Sequence, residues 1–318
     1  MTTRPPTDRI PVLIVSGFLG AGKTTFIREL LPRIANGPRA PYVILNDFQN
    51  ASIDAHSLRG LGAEIKSLSA GCVCCEDTNS LADAILRIPS LLHPILIIEA
   101  NGTTDPFRLI EVLTLTPRLR DRLGAILQVT VINEKRWGKR WLPGDKRTER
   151  AQAATASAIF TNRGEVASEK QRKRLTDNLL EINPRAPRID IDTLADLLLR
   201  EAAEQTLPSP DISDPIPHVH HHVAIRLEPP TLDMESLRKW LISLPHEILR
   251  VKGLVRISDT KMAYINRTDD PLEAPRIVEA SIQKGMKPCI VFIAPGLDEA
   301  FLRNSFHQKA KPAPFKLR

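Results

Sequence analysis

Residues 17–24 match the phosphate-binding pattern G-x-x-x-x-G-K-[ST]. The glycines let the backbone wrap closely, so that successive amide hydrogens converge on one phosphate group. The helix expected after this segment adds a partial positive charge at the same point. Lys23 is expected to neutralise the β- and γ-phosphates, and the Thr24 hydroxyl is expected to bind Mg²⁺. The segment therefore predicts a nucleoside triphosphate site formed by Gly17, Gly20, Ala21, Gly22, Lys23, Thr24 and Thr25.

Two acidic residues follow later predicted strands, and both could serve the same nucleotide. Asp47 comes shortly after the apolar run 42–45, and Glu99 comes directly after the run 95–98. The carboxyl ends of parallel strands form the ligand-binding edge of a sheet, so both carboxylates are candidate Mg²⁺ ligands. A turn or helix-cap role is the competing interpretation for Asp47. Gly102 permits a close backbone approach to the γ-phosphate, as in nucleotide-sensing switch segments.

Three cysteines, Cys72, Cys74 and Cys75, lie within four residues of one another, just before a predicted helix. Thiolates are favoured at helix N-termini, and soft thiolates select Zn²⁺ or Cu⁺ over Mg²⁺. Three thiolates leave one tetrahedral position for a histidine, a carboxylate, water or a second subunit, so a homodimer stays open. Burial as small hydrophobic side chains is the competing interpretation. The crowding favours a transition-metal site.

A histidine cluster follows a proline-rich stretch and offers further metal ligands. It consists of His218, His220, His221 and His222. Neutral imidazoles at this density bind divalent transition metals, and alternate residues of an extended segment share one side. A polar strand entry without any ligand role is an almost equally supported alternative, and the nearby cysteine cluster favours the metal-binding interpretation.

The elements that position these residues alternate between apolar runs and amphipathic segments. This pattern predicts an α/β fold with a doubly wound, mainly parallel sheet, and Ile189 and Ile191 are expected to mark one further strand. A nucleotide-binding domain over residues 1–207, a Pro/His-rich linker over 208–222 and a smaller α+β domain over 223–318 are predicted. The length of 318 residues agrees with two domains.

Composition and charge narrow the class of protein. The net charge is +7, and no apolar run reaches transmembrane length, so we expect a cytoplasmic protein with no membrane partner. Basic residues and two tryptophans, Trp137 and Trp141, are concentrated in residues 135–150. Such a stretch could contact nucleic acid, but a solvated loop with its tryptophans folded inward is the favoured interpretation.

Taken together, the motifs resemble the CobW-like family of GTPases, which is related to the accessory GTPases of urease and hydrogenase. The resemblance rests on the phosphate-binding segment 16–25 combined with Gly-Cys-Val-Cys-Cys at 71–75. Residues 99–102 are similar to the family's E-x-x-G motif, and residues 249–253 to a signature of its carboxyl-terminal domain.

The resemblance implies that the chain hydrolyses GTP with Mg²⁺ and holds a transition metal, commonly Zn²⁺, for delivery to a client metalloprotein. It implies that Lys23 contacts phosphate, that Thr24 and either Asp47 or Glu99 hold Mg²⁺, and that Cys72, Cys74 and Cys75 hold the transferable metal.

Three positions depart from the family pattern. Asn162-Arg163-Gly164-Glu165 stands where the family reads guanine with Asn-Lys-x-Asp. Arg163 can still stack on the base and Glu165 can still accept its hydrogen bonds, so GTP is favoured while ATP stays open. Asp47 replaces a glutamate, and Asn133 replaces an aspartate. These departures predict slow turnover. They also support an alternative hypothesis, a nucleotide-dependent sensor or scaffold with negligible hydrolysis.

Overall fold

A computed structural model of the chain describes residues 9–45, 58–67, 77–89, 94–103, 106–139, 143–204, 222–245, 248–268, 274–282, 287–295 and 299–306. The chain divides into two compact units, Met1–His221 and His222–Arg318. None of the helices in the described ranges is long and apolar enough to cross a membrane.

The first unit contains a six-stranded sheet. Its strands are β1 (Ile10–Ser16), β2 (Pro41–Leu45), β3 (Glu64–Ser67), β4 (Ile95–Glu99), β5 (Leu123–Asn133) and β6 (Ala158–Asn162). Their order is β3-β2-β4-β1-β5-β6, and every neighbouring pair is parallel. The sheet confirms the predicted doubly wound α/β fold, because parallel neighbours need crossover connections that carry helices.

In the described residues of this unit, each helix follows a strand in sequence or another helix, and the last two helices come after β6. The helices are α1 (Lys23–Ile34), α2 (Asp77–Leu86), α3 (Pro106–Leu115), α4 (Pro117–Arg120), α5 (Pro143–Ala154), α6 (Glu169–Ile182) and α7 (Ile191–Glu204). The expected solvated loop over 135–150 is wrong from residue 143 onward, where α5 begins. The expected strand at Ile189 and Ile191 is also wrong. Only an isolated bridge joins Arg188 to β6, and Ile191 is the first residue of α7.

Successive side chains of a strand point to opposite sides of the sheet, so the central strands present a different set of side chains on each face. Leu13 and Val15 of β1 belong to an apolar core that also contains residues of α1 and α7. Ser16 at the end of β1 and Thr130 of β5 lie on the other face and join their hydroxyls at 2.8 Å. Val12 and Ile14 of β1 share this side and are apolar. Only the part of this side around Ser16 and Thr130 is therefore polar, and α5 packs there, as described below.

The described residues of the second unit form a five-stranded antiparallel sheet and two helices. Its elements are β7 (His222–Leu227), α8 (Met234–Ser243), β8 (Arg250–Arg256), β9 (Lys261–Thr268), β10 (Arg276–Ser281), β11 (Cys289–Pro295) and α9 (Glu299–Ser305). The strand order is β10-β9-β8-β11-β7. Leu237 and Leu241 of α8 and Leu302 of α9 are buried with strand residues in one apolar core. The predicted small α+β architecture is therefore confirmed.

Candidate functional site

The phosphate-binding segment connects β1 to α1 through three glycines with positive φ angles. Gly17, Gly20 and Gly22 have φ values of 137°, 73° and 99°. A Cβ atom at Gly17 would lie 2.4 Å from the carbonyl oxygen of Val131, so the segment packs directly against the backbone of β5. Side chains at these positions would strain the backbone, and at Gly17 they would also collide with it.

Lys23 lies at the start of α1, and its side chain folds back over the loop. Its Nζ donates a hydrogen bond to the carbonyl oxygen of Gly17 at 3.0 Å, and the residue is 8% exposed. The ammonium group therefore reaches the opposite end of the loop. A positive charge held there, beside backbone amides and a helix N-terminus, suits a bound phosphate.

A hydroxyl and a carboxylate meet beside this loop. Thr24 Oγ1 donates a hydrogen bond to Glu99 Oε1 at 2.9 Å. Glu99 ends β4, is 2% exposed and is paired in register with Val15 of β1, so the sheet fixes its position. Hydroxyl and carboxylate oxygens are hard ligands of the type that Mg²⁺ prefers. The donor set therefore fits Mg²⁺.

Gly102 packs against the phosphate-binding segment. A Cβ atom at this position would lie 2.6 Å from the backbone nitrogen of Leu19. The Gly102 carbonyl oxygen accepts a hydrogen bond of 3.1 Å from Gln152 Nε2 of α5. A glycine is therefore required here by close approach between two backbone segments.

The segment 162–165 lies next to the phosphate-binding loop. Asn162 Nδ2 donates to the carbonyl oxygen of Ala21 at 2.7 Å, which ties the end of β6 to the loop. Arg163 has a left-handed φ of 57°, and Glu165 lies in the short 3-10 helix Gly164–Val166 that follows it. Arg163 and Glu165 are both exposed. Both side chains are thus available to a base bound beside the loop.

Comparison with protein families identifies this arrangement. A family model described as the CobW/HypB/UreG nucleotide-binding domain matches residues 11–190. The chain belongs to the CobW/HypB/UreG family. A second model, the cobalamin synthesis protein CobW C-terminal domain, matches residues 222–310. The predicted family is therefore confirmed.

Curated relatives of this CobW/HypB/UreG chain include two zinc chaperones. The zinc chaperone YjiA of Escherichia coli is 30% identical over 187 residues, which cover 56% of each chain. The zinc chaperone CobW of a Sinorhizobium species is 34% identical over 140 residues, 42% of this chain and 39% of the relative. The chain thus spans about half the length, or less, of the curated relatives it matches.

Two solved structures are similar to the chain at low sequence identity. Zn(II)-bound YjiA GTPase from E. coli has a TM-score of 0.45 at 20% identity, covering 94% of this chain and 98% of its own. HypB from Helicobacter pylori in complex with nickel has a TM-score of 0.41 at 17% identity, covering 64% and 93%.

Three residues near the site of this CobW/HypB/UreG chain were missed from the sequence. Arg136 Nη1 lies 3.1 Å from the position of a Cβ atom at Gly20, so its guanidinium group contacts the phosphate-binding loop. Glu134 Oε2 lies 3.0 Å from the equivalent position at Gly164. The third is Gln152. Arg136 was overlooked because it belongs to a basic stretch that was interpreted as a solvated loop. Glu134 and Gln152 belong to no recognisable sequence motif.

Other predicted site residues lie outside the described part of the chain. These are Asp47, Cys72, Cys74, Cys75, His218, His220 and His221. His222 is described only as the first residue of β7. Within the described ranges, no group of three or more His, Cys, Asp or Glu residues could hold a metal ion. The roles of these cysteines and histidines therefore stay predictions from the sequence.

Proposed function

We propose that this chain is a metal-handling GTPase, which binds GTP with Mg²⁺, hydrolyses it slowly and couples the nucleotide state to binding and delivery of a transition metal. The observation that carries this proposal is the contact of 2.9 Å between Thr24 Oγ1 and Glu99 Oε1 beside the phosphate-binding loop. This contact places a hydroxyl and a carboxylate, two oxygen ligands suited to Mg²⁺, where the γ-phosphate of a bound triphosphate would lie.

The residues of the chain have distinct roles in the proposed reaction. Lys23 and the loop amides bind and orient the phosphates, and positioning of this kind supplies most of the rate in phosphoryl transfer. Thr24 and Glu99, with Asp47 as a further candidate, would hold Mg²⁺, which supplies neutralisation of the charge that develops on the phosphate oxygens. The backbone of Gly102 would contact the γ-phosphate and change position when that group is lost.

Guanine selection is proposed for Asn162, Arg163 and Glu165. Asn162 holds the loop at Ala21, Arg163 would stack on the base, and the Glu165 carboxylate would accept hydrogen bonds from the guanine edge. Adenine lacks the donors that this carboxylate would bind, so we expect GTP to be preferred over ATP. Glu165 is one methylene longer than an aspartate, so the preference should be modest.

The transition metal is the cargo of the proposed cycle. Cys72, Cys74 and Cys75 would hold it, with His218, His220, His221 and His222 as auxiliary ligands. Relatives named as zinc chaperones and as a zinc-regulated GTPase metalloprotein activator support Zn²⁺ and a client metalloprotein. We propose that the triphosphate state orders a conformation that holds metal and client, and that hydrolysis releases them.

Phosphate release from GTP and from ATP, each with Mg²⁺ and with or without Zn²⁺, tests this proposal. Zn²⁺ should change the GTP rate of the wild-type chain, and replacing Cys72, Cys74 and Cys75 with alanine should abolish that response. Cys289→Ala is the matched control, because it removes a thiol of β11 in the second unit. An unchanged response in the triple variant would refute the cysteine site. No cleavage in a single-turnover experiment would instead favour the nucleotide-dependent sensor.

A further inference from the structure

A cluster of polar side chains is buried between the sheet and α5. Its members are Ser16, Gln128, Thr130, Gln152, Thr155 and Ser157, and each is at most 3% exposed. Burial of so many polar groups at a helix–sheet contact is unusual, since apolar side chains normally fill such a layer. We call this set the polar cluster.

Hydrogen bonds connect the polar cluster to the phosphate-binding loop. Thr130 Oγ1 lies 2.8 Å from the hydroxyl of Ser16, the residue directly before Gly17. The same Thr130 hydroxyl donates to the backbone carbonyl of Gln152 at 2.6 Å. Gln128 Nε2 contacts the Gln152 carbonyl at 3.2 Å as well. The backbone of α5 at Gln152 is therefore fixed to the strand that leads into the loop.

The side chain of Gln152 connects the polar cluster to Gly102. Its Nε2 donates to the Gly102 carbonyl oxygen at 3.1 Å. The N–H of the same peptide group, which belongs to Thr103, donates to Asn101 Oδ1 at 3.2 Å. Both polar atoms of the Gly102–Thr103 peptide are thus held by side chains, and Gly102 is kept against the backbone of Leu19.

The buried amide of Gln152 lowers the stability of the folded chain, which suggests that it has a functional role. The Oε1 atom of Gln152 is buried and has no hydrogen-bond partner among the described residues. A folded protein is less stable with a buried amide that has one unsatisfied atom than with an apolar side chain of similar shape at the same position. The presence of an amide at this buried position is explained if its N–H group is needed as the hydrogen-bond donor to the Gly102 carbonyl oxygen.

We propose that Gln152 is a positioning residue that sets the distance of Gly102 from the phosphate-binding loop, and thereby lets the site distinguish a triphosphate from a diphosphate. This inference rests on the proposed binding of GTP. A γ-phosphate is the group that would contact Gly102, so the hydrogen bond matters to GTP and not to GDP. Through the same bond, movement of Gly102 is passed to α5.

The test compares affinities for a non-hydrolysable GTP analogue and for GDP, each with Mg²⁺, in the full chain. Gln152→Met keeps the length of the side chain and removes the donor to Gly102. We expect about a tenfold loss of affinity for the analogue, with GDP affinity unchanged within about twofold. Gln152→Asn, whose shorter amide cannot reach Gly102, should give the same change and serves as the second variant. Thr155→Val is the matched control, because Thr155 belongs to the polar cluster but, within the described part of the chain, its hydroxyl is hydrogen-bonded only to Gln128 Nε2 and the backbone carbonyls of Ala151 and Gln152, and not to Gly102.

A purely structural role would give a different result, since it would weaken both nucleotides equally. The proposal is overturned if the ratio of the two affinities in Gln152→Met and Gln152→Asn equals that of Thr155→Val or of the wild-type chain. If the wild-type chain binds neither nucleotide, the proposed function itself fails. Wild-type binding of both nucleotides with unchanged ratios in the variants refutes this inference alone.

Discussion

Replacing Gly22 with alanine should damage the phosphate-binding loop by an amount that the structure allows us to estimate. Gly22 has a φ of 99°, and a Cβ atom there would lie 2.7 Å from Asn162 Nδ2. An L-residue in a left-handed conformation costs about 1–2 kcal/mol. Displacing the Asn162 amide from the Ala21 carbonyl costs about 1 kcal/mol more. We therefore expect a total loss of about 2–3 kcal/mol, divided between unfolding and nucleotide binding.

The two contributions can be separated with Gly60→Ala as the matched control. Gly60 has a φ of 79°, but no atom lies within 4 Å of its Cβ position, so this variant carries backbone strain alone. Urea unfolding and titration with a fluorescent GTP analogue would be measured for both variants. Gly60→Ala should lose stability and keep its nucleotide affinity, whereas Gly22→Ala should also bind the analogue at least about tenfold more weakly. A folded Gly22→Ala variant that behaves like Gly60→Ala in both assays would refute this account of the loop.

Three further substitutions test other parts of the site and fold. Thr24→Val removes the hydroxyl that contacts Glu99 and should lower Mg²⁺-dependent GTP turnover at least about tenfold, while Thr24→Ser should retain it; equal rates would exclude a role for the hydroxyl. Glu165→Gln should reduce the preference for GTP over ATP in competition binding, and an unchanged ratio would remove Glu165 from base selection. Asp190→Ala should lower the free energy of unfolding by about 1 kcal/mol at neutral pH, because the Asp190 carboxylate caps α7. The backbone N–H of Thr193 holds the pKa of Asp190 below its ordinary value. The stabilisation is therefore lost as pH falls through that lowered pKa, and urea curves of variant and wild type should converge there; a constant difference would contradict this cap.

The fold class and the phosphate-binding loop could be predicted because their signals are local. Buried strands such as β1 carry continuous apolar runs, and Gly17, Gly20 and Gly22 stand at the positions where the loop has positive φ angles. The contacts that fix the loop, from Val131 and Asn162, come from strands far along the chain. No local pattern encodes their distances.

Helix α5 was not predicted because the small residue Ala153 and polar groups such as Gln152 are buried at its contact with the sheet, without a stripe of large apolar side chains. Gln128 of β5 donates to the hydroxyl of Thr155, which directly follows α5, and Thr130 of β5 donates to the backbone carbonyl of Gln152. Apolar periodicity is the main signal of a helix that packs on a core, and a polar contact leaves no such signal. The basic residues of the stretch then favoured a solvated loop.

The mistaken strand at Ile189 and Ile191 has a different cause. Two isoleucines spaced by one residue indicate a strand when only hydrophobic alternation is considered. Asp190 stands between them, and its Oδ1 accepts from the backbone N–H of Thr193 at 2.7 Å. A helix-capping aspartate ends the extended segment, and Ile191 enters α7. Capping chemistry outweighed the alternation here.

The central claim is that GTP and the transition metal are bound by one coupled system. Its most direct test is the Zn²⁺ affinity of the chain, measured with a competing chelator, in the presence of a GTP analogue and of GDP. Linkage requires that each ligand change the affinity of the other by the same factor. We predict that Zn²⁺ binds at least about tenfold more tightly with the analogue, with a reciprocal gain for the nucleotide. Equal Zn²⁺ affinities in the two nucleotide states would contradict the claim.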